Sequence, residues 1–214
     1  MRMKLYSYFR SSAAYRVRIA LNLKQLNAEM IPVHLLNNGG EQHSEAYRAV
    51  NPSELVPALV DDDFTLTQSL SILEYLEEKF PAHNILPQDL QQRALARAFS
   101  LSIACDIHPL NNLRVLQHLT GELGLSNEQK NEWYTHWVKV GFDALEAQLV
   151  HSNGRFCFGD YPTIADCCLI PQVYNALRFN IDLSAYPKIQ SIYAHCNALD
   201  AFQQAAPEAQ PDAA

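Results

Sequence analysis

The segment Phe9-Arg10-Ser11-Ser12-Ala13-Ala14-Tyr15-Arg16 joins a short strand pattern to a helix pattern near the start of the chain. The strand pattern precedes it at residues 4–8, and an apolar stripe that contains Val17 and Leu21 predicts a helix over 15–24. A strand, a short loop and a helix in this order form the opening of an α/β unit. We therefore expect the N-terminal part of the chain to form a small α/β domain.

The two serines of this loop lie just before the predicted helix. A helix N-terminus presents unpaired amides and a partial positive charge, so an anion such as a thiolate is stabilised there. Ser11 and Ser12 could each donate a hydroxyl hydrogen bond to that anion. Alternatively, one of the serines serves only as the helix N-cap, which is the ordinary role of a single serine at such a position.

Further strand and helix patterns follow as far as residue 80. They predict the order β-α-β-α-β-β-α, with a hairpin that turns on three successive aspartates at 61–63. The helix before Asn51-Pro52 has to end there, because the residue that precedes a proline is displaced from the helical region. The predicted strands lie at 28–35, 56–60 and 64–66, and the predicted helices at 44–50 and 69–79.

The rest of the chain is predicted to be almost entirely helical. Residues 81–87 contain two prolines and are interpreted as a linker between a domain at 1–80 and an all-helical domain at 88–214. Alanine and proline are frequent in 205–214, which we expect to lie on the surface. The predicted helices span 91–119, 127–149, 163–179 and 186–199, and the third begins with a capping box of Thr163 and Asp166.

Pro109 falls inside the first of these predicted helices. Proline has no N–H, and its ring clashes with the carbonyl of Cys105 one turn earlier, so we expect the helix to kink at this point. The kink is expected to turn His108, Asn112 and Arg114 toward the neighbouring domain.

The composition excludes several classes of function. The 214 residues contain 16 Lys+Arg against 23 Asp+Glu, which gives a net charge of −7 and a pI of about 5.6. No basic run is present that could follow a phosphate backbone. No window of about 20 mostly apolar residues is present that could span a bilayer. We therefore expect neither nucleic acid nor a membrane as a partner.

The cysteines and histidines indicate neither disulfides nor a metal site. The cysteines are odd in number and lie in apolar segments, which favours buried, reduced thiols in a cytoplasmic protein. No CxxC, HxxxH or HExxH spacing occurs, so we expect no bound metal. The five cysteines are Cys105, Cys157, Cys167, Cys168 and Cys196, of which the adjacent pair is interpreted as helix core.

Two other short motifs have the character of binding features. Gln68-Ser69 joins a strand to the next helix, which is again an anion-binding geometry. Val56-Pro57 precedes a strand, where a proline often marks a tight and sometimes cis turn. A Val56 turned outward would offer its backbone N–H and C=O to an extended ligand. The alternative interpretations are that Ser69 only caps a helix and that Pro57 only starts a strand.

The string SSAAYRVRIAL at residues 11–21 resembles the SSCxxRVRIAL signature of zeta-class glutathione transferases, and within that class the chain is similar to bacterial maleylpyruvate and maleylacetoacetate isomerases. The resemblance implies a thioredoxin-like N-terminal domain, a helical C-terminal domain, glutathione as the cofactor, and a homodimer. The cysteine of the signature is Ala13 here, which leaves the serines and backbone amides to stabilise the thiolate. Further matching blocks follow in order at Asn51-Pro52, Val56-Pro57-Ala58-Leu59, Gln68-Ser69, 106–112, Gly159-Asp160, 163–166, Ala201-Phe202 and Gln210-Pro211-Asp212.

The resemblance also implies which residues of the first domain bind glutathione. Ser11 and Ser12 would lie near the thiolate, and Val56 would pair with the cysteinyl backbone. Gln68 and Ser69 would hold the γ-glutamyl end of the tripeptide.

Five more residues are placed in the glutathione site by the same pattern. Gln42 or His43 would lie near the glycyl end. His108, Asn112 and Arg114 would line the pocket from the helical domain.

Two arginines are candidates for binding the substrate. Arg10 and Arg178 have no obvious acidic partner nearby in the sequence. The guanidinium fork suits a carboxylate, and the small maleyl substrates implied by the resemblance are dianions. We therefore place Arg10 and Arg178 with Ser11 and Ser12 in the catalytic group, while Arg114 could serve either glutathione or the substrate.

The activity implied by the resemblance is a glutathione-dependent cis–trans isomerisation in aromatic-compound catabolism. A thiolate adds to the cis double bond of maleylpyruvate or maleylacetoacetate, the bond rotates, and elimination leaves the fumaryl isomer and returns glutathione. One rival function is conjugation or peroxidase chemistry, which consumes glutathione. Another is a non-catalytic binding module, against which the joint presence of Ser11, Gln68 and Ser69 argues.

Overall fold

A computed structural model describes residues 3–150, 152 and 154–213 of the chain. The chain divides into two compact units. The first contains the described residues up to Leu86 together with those from Asn197 onward, and the second extends from Pro87 to Cys196. In the described residues, no helix is long and apolar enough to cross a membrane.

The first unit is an α/β domain built on a four-stranded mixed sheet. The strands, in their order across the sheet, are β2 (Glu29–Pro32), β1 (Met3–Ser7), β3 (Ala58–Asp61) and β4 (Phe64–Thr67). Strand β1 pairs in parallel with β2 and antiparallel with β3. This arrangement confirms the predicted element order and the thioredoxin-like α/β class. The elements are β1 Met3–Ser7, α1 Ser12–Leu23, β2 Glu29–Pro32, α2 Glu45–Val50, β3 Ala58–Asp61, β4 Phe64–Thr67 and α3 Ser69–Lys79.

The pairing register brings distant parts of the sequence to one edge of this sheet. Tyr6 on β1 lies opposite Ala58 on β3, and Ala58 lies opposite Thr67 on β4. Because both pairings are antiparallel, the end of β1, the start of β3 and the end of β4 meet at the same edge. Ser7 pairs with Pro32 at the end of the parallel strand β2, so the loop after β2 also leaves from this edge.

Helix α1 begins three residues earlier than the predicted start at residue 15. The side chain of Ser11 accepts a hydrogen bond from the amide of Ala14, which satisfies one of the unpaired donors at the helix start. The helix is buried over most of its length, and Val17 and Ala20 are fully enclosed. Two alanines at 13 and 14 favour helix formation, and this allows the helix to begin directly behind the cap.

The C-terminal segment differs from its expected place in the helical domain. The short helix α9, Asp200–Gln203, and the residues that follow it belong to the first unit. Phe202 is fully buried, and the side chain of Asn22 on α1 donates a 2.9 Å hydrogen bond to the carbonyl of Ala201. The expectation of a surface tail over 205–214 is wrong for Ala205 and Pro207, which are buried, while residue 214 lies outside the described residues.

The second unit is helical, as predicted, but its first helix is interrupted rather than kinked. Helix α4 ends at Leu101, a π-helical turn covers Ser102–Ile107, and a 3-10 turn covers His108–Asn111. Pro109 is accommodated in the first turn of this 3-10 segment, where a missing N–H is tolerated. The helices are α4 Leu90–Leu101, α5 Leu113–Gly121, α6 Asn127–Leu149, α7 Ile164–Arg178 and α8 Pro187–Asn197.

The start of α7 confirms the predicted capping box. Thr163 is the N-cap, and the buried carboxylate of Asp166 accepts hydrogen bonds from the amides of Thr163 and Cys157 at 2.8 and 2.9 Å. Burial raises the pKa of Asp166 even though these donors act in the opposite direction. Cys167 and Cys168 are fully buried, which confirms their interpretation as core.

Candidate functional site

Residues 8–11, together with Ser12, form the serine loop, which connects β1 to α1 at the sheet edge described above. The amide of Ser11 donates to the carbonyl of Tyr8 at 2.9 Å, and the Ser11 hydroxyl oxygen accepts from Ala14 at 3.2 Å. The cap interpretation therefore holds for Ser11, yet its hydroxyl proton can still be donated to a ligand. Ser12 is the first helical residue and is buried. Both serines thus lie at the positive end of α1.

Arg10 is held on an aromatic surface beside this loop. Its Nε and Nη2 atoms both donate to the hydroxyl of Tyr8, at 3.2 and 2.9 Å. The guanidinium carbon lies 4.9 Å from the centre of the Phe9 ring, within cation–π range. No local pattern marks Tyr8 as a partner of Arg10, because the contact depends on how the chain turns after β1.

Val56 precedes β3 at the same edge of the sheet. The Val56–Pro57 peptide bond is cis, as the sequence allowed. The Val56 side chain packs in a buried cluster with Tyr8 and Tyr47. The carbonyl of Leu55 accepts from the Tyr47 hydroxyl at 2.6 Å, whereas no described residue hydrogen-bonds to the backbone of Val56. The N–H and C=O of Val56 therefore form a short backbone edge that can pair with an extended ligand.

Gln68 and Ser69 form the start of α3. Gln68 has a φ of 69°, a conformation that few residues other than glycine adopt, and its side chain is exposed. Ser69 is buried, and its hydroxyl oxygen accepts a 3.1 Å hydrogen bond from Nη1 of Arg16. Arg16 was not among the predicted site residues. Its place in the apolar helix α1 is the sequence signal that marks it, because a buried arginine needs polar partners.

Gln42 and His43 lie in the second of two 3-10 turns that follow β2, at Glu41–His43. Gln42 is buried, and its Nε2 atom lies 3.0 Å from Nε2 of His43. Among the described residues, Oε1 of Gln42 is buried without a hydrogen-bond partner. The other ring nitrogen of His43, Nδ1, contacts the carboxylate of Glu54, which also accepts from Arg48 at 2.9 Å. Hydrogen bonds from His43 and then Arg48 lower the pKa of Glu54.

In the second unit, the predicted residues around Pro109 are held by α6. The Trp133 indole N–H donates to the carbonyl of Leu110 at 2.8 Å, and the Asn111 side-chain amide donates to the carbonyl of Tyr134 at 3.3 Å. These contacts fix the 3-10 turn that contains His108.

Asn112 and Arg114 start the following helix. The Asn112 side-chain oxygen caps α5 by accepting from the amide of Arg114 at 3.2 Å. The side-chain NH2 group of Asn112 is not used by the cap and can donate to a ligand, and the Arg114 side chain is exposed.

Arg178 is the last residue of α7 and has an exposed side chain. Its guanidinium carbon lies 5.3 Å from the centre of the Phe179 ring, and that ring stacks on Tyr134 with centres 3.7 Å apart. Burial raises the pKa of Tyr134 to about 12, although the charge of Arg178 acts in the opposite direction. Tyr134 therefore connects Arg178 to the turn held through Asn111.

The described residues contain no group of three or more His, Cys, Asp or Glu side chains that could hold a metal ion. Burial raises the pKa of the thiols of Cys157 and Cys196, so neither is a thiolate at neutral pH. The anion-stabilising features of the first unit are instead the two helix N-termini and their serines.

Comparison with known proteins identifies the family. The family of glutathione S-transferase N-terminal domains matches residues 5–84. A probable maleylacetoacetate isomerase of Vibrio cholerae is 54% identical over 213 residues, which is 100% of this chain and 99% of that protein. A maleylpyruvate isomerase of a Ralstonia species is 47% identical over 99% of this chain and 100% of its own.

Comparison with solved structures leads to the same family. A holo maleylpyruvate isomerase, described as a bacterial glutathione S-transferase of the zeta class, superposes with a TM-score of 0.95 at 46% identity and covers 99% of this chain and 100% of its own. The chain belongs to the zeta class of glutathione S-transferases. The resemblance seen in the sequence and the expected fold of this class are both confirmed.

Two further structures of relatives hold ligands. A maleylacetoacetate isomerase of Methylobacterium extorquens contains malonate and glutathione (TM-score 0.93, 42% identity, 99% of each chain). That of Anaeromyxobacter dehalogenans contains dicarboxyethyl glutathione and citrate in its active site (TM-score 0.88, 41% identity, 100% of this chain and 94% of its own). These relatives therefore bind glutathione, or its dicarboxyethyl conjugate, together with small polycarboxylates.

Proposed function

We propose that this chain is a glutathione-dependent cis–trans isomerase that converts a maleyl diketo acid, maleylpyruvate or maleylacetoacetate, to its fumaryl isomer during the breakdown of aromatic compounds. The observation that carries the proposal is the sheet register at Ala58. It brings the serine loop, the backbone of Val56 and the Gln68-Ser69 pair to one edge of the first unit. The relatives that match over the full length of the chain are named as isomerases of these acids.

The residues of the first unit fit glutathione. The backbone edge at Val56 suits the cysteinyl residue of an extended tripeptide. Gln68 and Ser69 at the start of α3 suit the γ-glutamyl carboxylate, because backbone amides and the helix dipole favour an anion there. The buried Oε1 of Gln42, which has no hydrogen-bond partner among the described residues, suits the amide N–H of the glycyl residue, with His43 beside it.

When bound, glutathione supplies a thiolate that adds to the cis double bond and leaves again after rotation. The chain contributes by keeping the sulfur ionised. Ser11 and Ser12 lie at the N-terminus of α1, where hydroxyl donors and the helix dipole lower the pKa of a nearby thiol. Ala13 occupies the position of the signature cysteine, which leaves the serines and backbone amides to stabilise the thiolate.

We assign binding of the dianionic substrate to the arginines. Arg10 is fixed on Tyr8 and Phe9, so its charge has a defined position next to the serine loop. A guanidinium there can bind a substrate carboxylate and stabilise negative charge that develops on the substrate. For Arg178 the support is the family pattern and its exposed position at the end of α7.

The remaining residues of the second unit keep the roles given by the family pattern. His108, Asn112 and Arg114 are assigned to the glutathione site. The cap formed by Asn112 and the turn that contains His108 give these side chains fixed backbone positions.

We further propose that the chain forms a homodimer. The exposed face of α4 carries Leu95 and Leu101, which are 51% and 48% exposed, with Ala98 between them. An apolar stripe of this kind on a helix favours association with a second copy. Light scattering after size exclusion should give the wild-type protein twice the mass of one chain. Leu95→Glu should shift the protein toward the mass of the monomer. A Leu95→Glu variant that keeps the dimer mass would contradict this use of α4.

A cytoplasmic location is part of the proposal. The five described cysteines are free thiols, four of them buried, as expected for a protein of a reducing compartment.

The decisive experiment follows the loss of maleylpyruvate absorbance with and without a catalytic amount of glutathione, and assays free thiol at the end. Isomerisation that requires glutathione and leaves the thiol unconsumed is the expected result. The same assay with maleylacetoacetate establishes which acid is preferred. Binding of glutathione without turnover of either acid would favour conjugation or peroxidase activity, and failure to bind glutathione would favour a binding module.

A further inference from the structure

The C-terminal segment contacts the serine loop directly. The backbone amide of Phe9, two residues before Ser11, donates a 2.9 Å hydrogen bond to Oδ2 of Asp212. These residues are 203 positions apart in the chain, and Asp212 lies in the short 3-10 turn Pro211–Ala213. The first unit thus uses its last described turn to hold the start of the loop.

The other side of the same residue is held by Arg18. This buried arginine of α1 donates from Nη2 to the carbonyl of Phe9 at 2.9 Å and from Nε to the carbonyl of Ala205 at 2.9 Å. Its Nη1 atom lies 3.1 Å from the hydroxyl of Ser7 at the end of β1. The N–H of Phe9 is therefore hydrogen-bonded to Asp212, and its C=O is hydrogen-bonded to Arg18, which also donates to the C-terminal segment at Ala205.

We propose that Asp212 is a positioning residue for the thiolate site. It fixes the backbone of Phe9, so that Ser11 and the N-terminus of α1 keep the orientation in which they stabilise an anion. The inference rests on the proposed function, because the anion in question is the glutathione thiolate. The reaction is sensitive to such positioning, since a displacement of about 1 Å can cost on the order of 100-fold in rate.

Asp212 is proposed to act by holding the backbone amide of Phe9, and this role can be separated from the effect of its negative charge on the thiol. A carboxylate near the loop repels a thiolate, so simple removal of its charge would lower the pKa of the bound thiol. Loss of the acceptor acts in the opposite direction, because the loop loses its fixed position. Asp212→Asn removes the charge and keeps an acceptor oxygen, whereas Asp212→Ala removes both.

The experiment compares Asp212→Ala and Asp212→Asn with the wild-type full chain, and uses Asp200→Ala as a control. Asp200 is an exposed acidic residue of α9 in the same segment. The readouts are the pKa of the bound glutathione thiol, from the ultraviolet absorbance of the thiolate, and kcat and KM for isomerisation. Hydrogen exchange of the Phe9 amide reports the contact itself.

We expect Asp212→Ala to raise the pKa of the bound thiol, to lower kcat by about 10- to 100-fold with a smaller change in KM for glutathione, and to accelerate exchange at Phe9. Asp200→Ala should stay near the wild type in all three readouts. Asp212→Asn should keep kcat, KM and exchange at Phe9 near the wild-type values, while the pKa of its bound thiol should be equal to or lower than the wild-type value because a nearby negative charge is gone.

Four results would overturn the inference. The first is an unchanged thiol pKa and kcat in Asp212→Ala, and the second is a lowered thiol pKa in that variant. The third is an equal loss of kcat in Asp212→Ala and Asp212→Asn. The fourth is accelerated exchange throughout α6, as well as at Phe9, in Asp212→Ala. The last result would indicate a general loss of stability. A wild-type chain that neither binds glutathione nor isomerises these acids would instead reject the proposed function and, with it, this inference.

Discussion

The guanidinium of Arg16 on α1 donates a 3.1 Å hydrogen bond to the hydroxyl oxygen of Ser69, the first residue of α3. Both residues are buried, and 53 positions separate them. The contact joins the starts of the two helices whose N-termini carry the proposed glutathione site. A ligand anion at Ser69 therefore lies near a fixed buried cation as well as near backbone amides.

The first prediction concerns Ser69. Ser69→Ala should weaken glutathione binding by about 1.5–3 kcal/mol, the usual value of a hydrogen bond to a charged group, because the γ-glutamyl carboxylate loses a donor. Calorimetric titration with glutathione measures the change. Ser71→Ala, an exposed serine in the same helix, is the matched control and should bind like the wild type. Equal affinities of the Ser69 and Ser71 variants would remove Ser69 from the site.

The second prediction separates the two roles of Ser11. Aspartate caps a helix as well as serine does, so Ser11→Asp should keep the thermal unfolding midpoint close to the wild-type value. The same change places an anion beside the thiolate and should raise the pKa of bound glutathione. Ser11→Ala should lose about 1 kcal/mol of stability through the missing cap. A normal thiol pKa in Ser11→Asp would show that Ser12, and not Ser11, faces the sulfur.

The third prediction concerns the substrate arginine. Arg178→Ala should raise KM for the maleyl dianion by at least about tenfold, since a charged hydrogen bond contributes about 1.5–3 kcal/mol, while the affinity for glutathione stays unchanged. Arg178→Lys should recover only part of the loss because lysine lacks the planar fork. Steady-state kinetics at saturating glutathione tests this, with the exposed Arg155→Ala as control. Unchanged kinetics in Arg178→Ala would refute the assignment.

The fourth prediction follows from the pair formed by Asp61 and Lys79. The Lys79 ammonium lies 2.5 Å from Oδ2 of Asp61, and the Tyr75 hydroxyl donates to the same oxygen at 2.8 Å. Burial acts to raise the pKa of Asp61, but these hydrogen bonds outweigh it and the pKa is lowered. Hydrogen bonding to Asp61 raises the pKa of Lys79.

The signs of these shifts set the pH dependence. The contribution of Asp61 is present above its ordinary pKa of 3.8 and is lost as the pH falls through its lower folded value. The contribution of Lys79 is present below 10.5 and is lost as the pH rises beyond its raised folded value. Asp61→Asn should therefore lower the thermal midpoint by a few degrees at neutral pH, and this difference should shrink in acid. A difference in thermal midpoint between the wild type and Asp61→Asn that stays constant from neutral to acidic pH would contradict a stabilising ion pair between Asp61 and Lys79.

Local signals in the sequence were sufficient for much of the fold and part of the site. The capping box at Thr163 and Asp166, the helix behind Ser11 and the turn at Val56-Pro57 each depend on residues within about four positions of one another. The residue types at such positions limit the backbone directly. For that reason the serine loop, the start of α3 and the α/β order could be predicted from the order of the amino acids alone, whereas the predicted start of α1 was three residues late.

Tertiary structure decided the contacts between residues that are distant in the chain. The sequence predicted a kink at Pro109, whereas the structure ends α4 at Leu101, because the packing of α6 against the following turn fixes a π and a 3-10 segment there. Local patterns also carry no information about the partner of a buried polar group. The pairings of Arg16 with Ser69 and of Phe9 with Asp212 arise only when the sheet register and the C-terminal segment bring these groups together, since a buried donor takes whichever acceptor the folded chain provides.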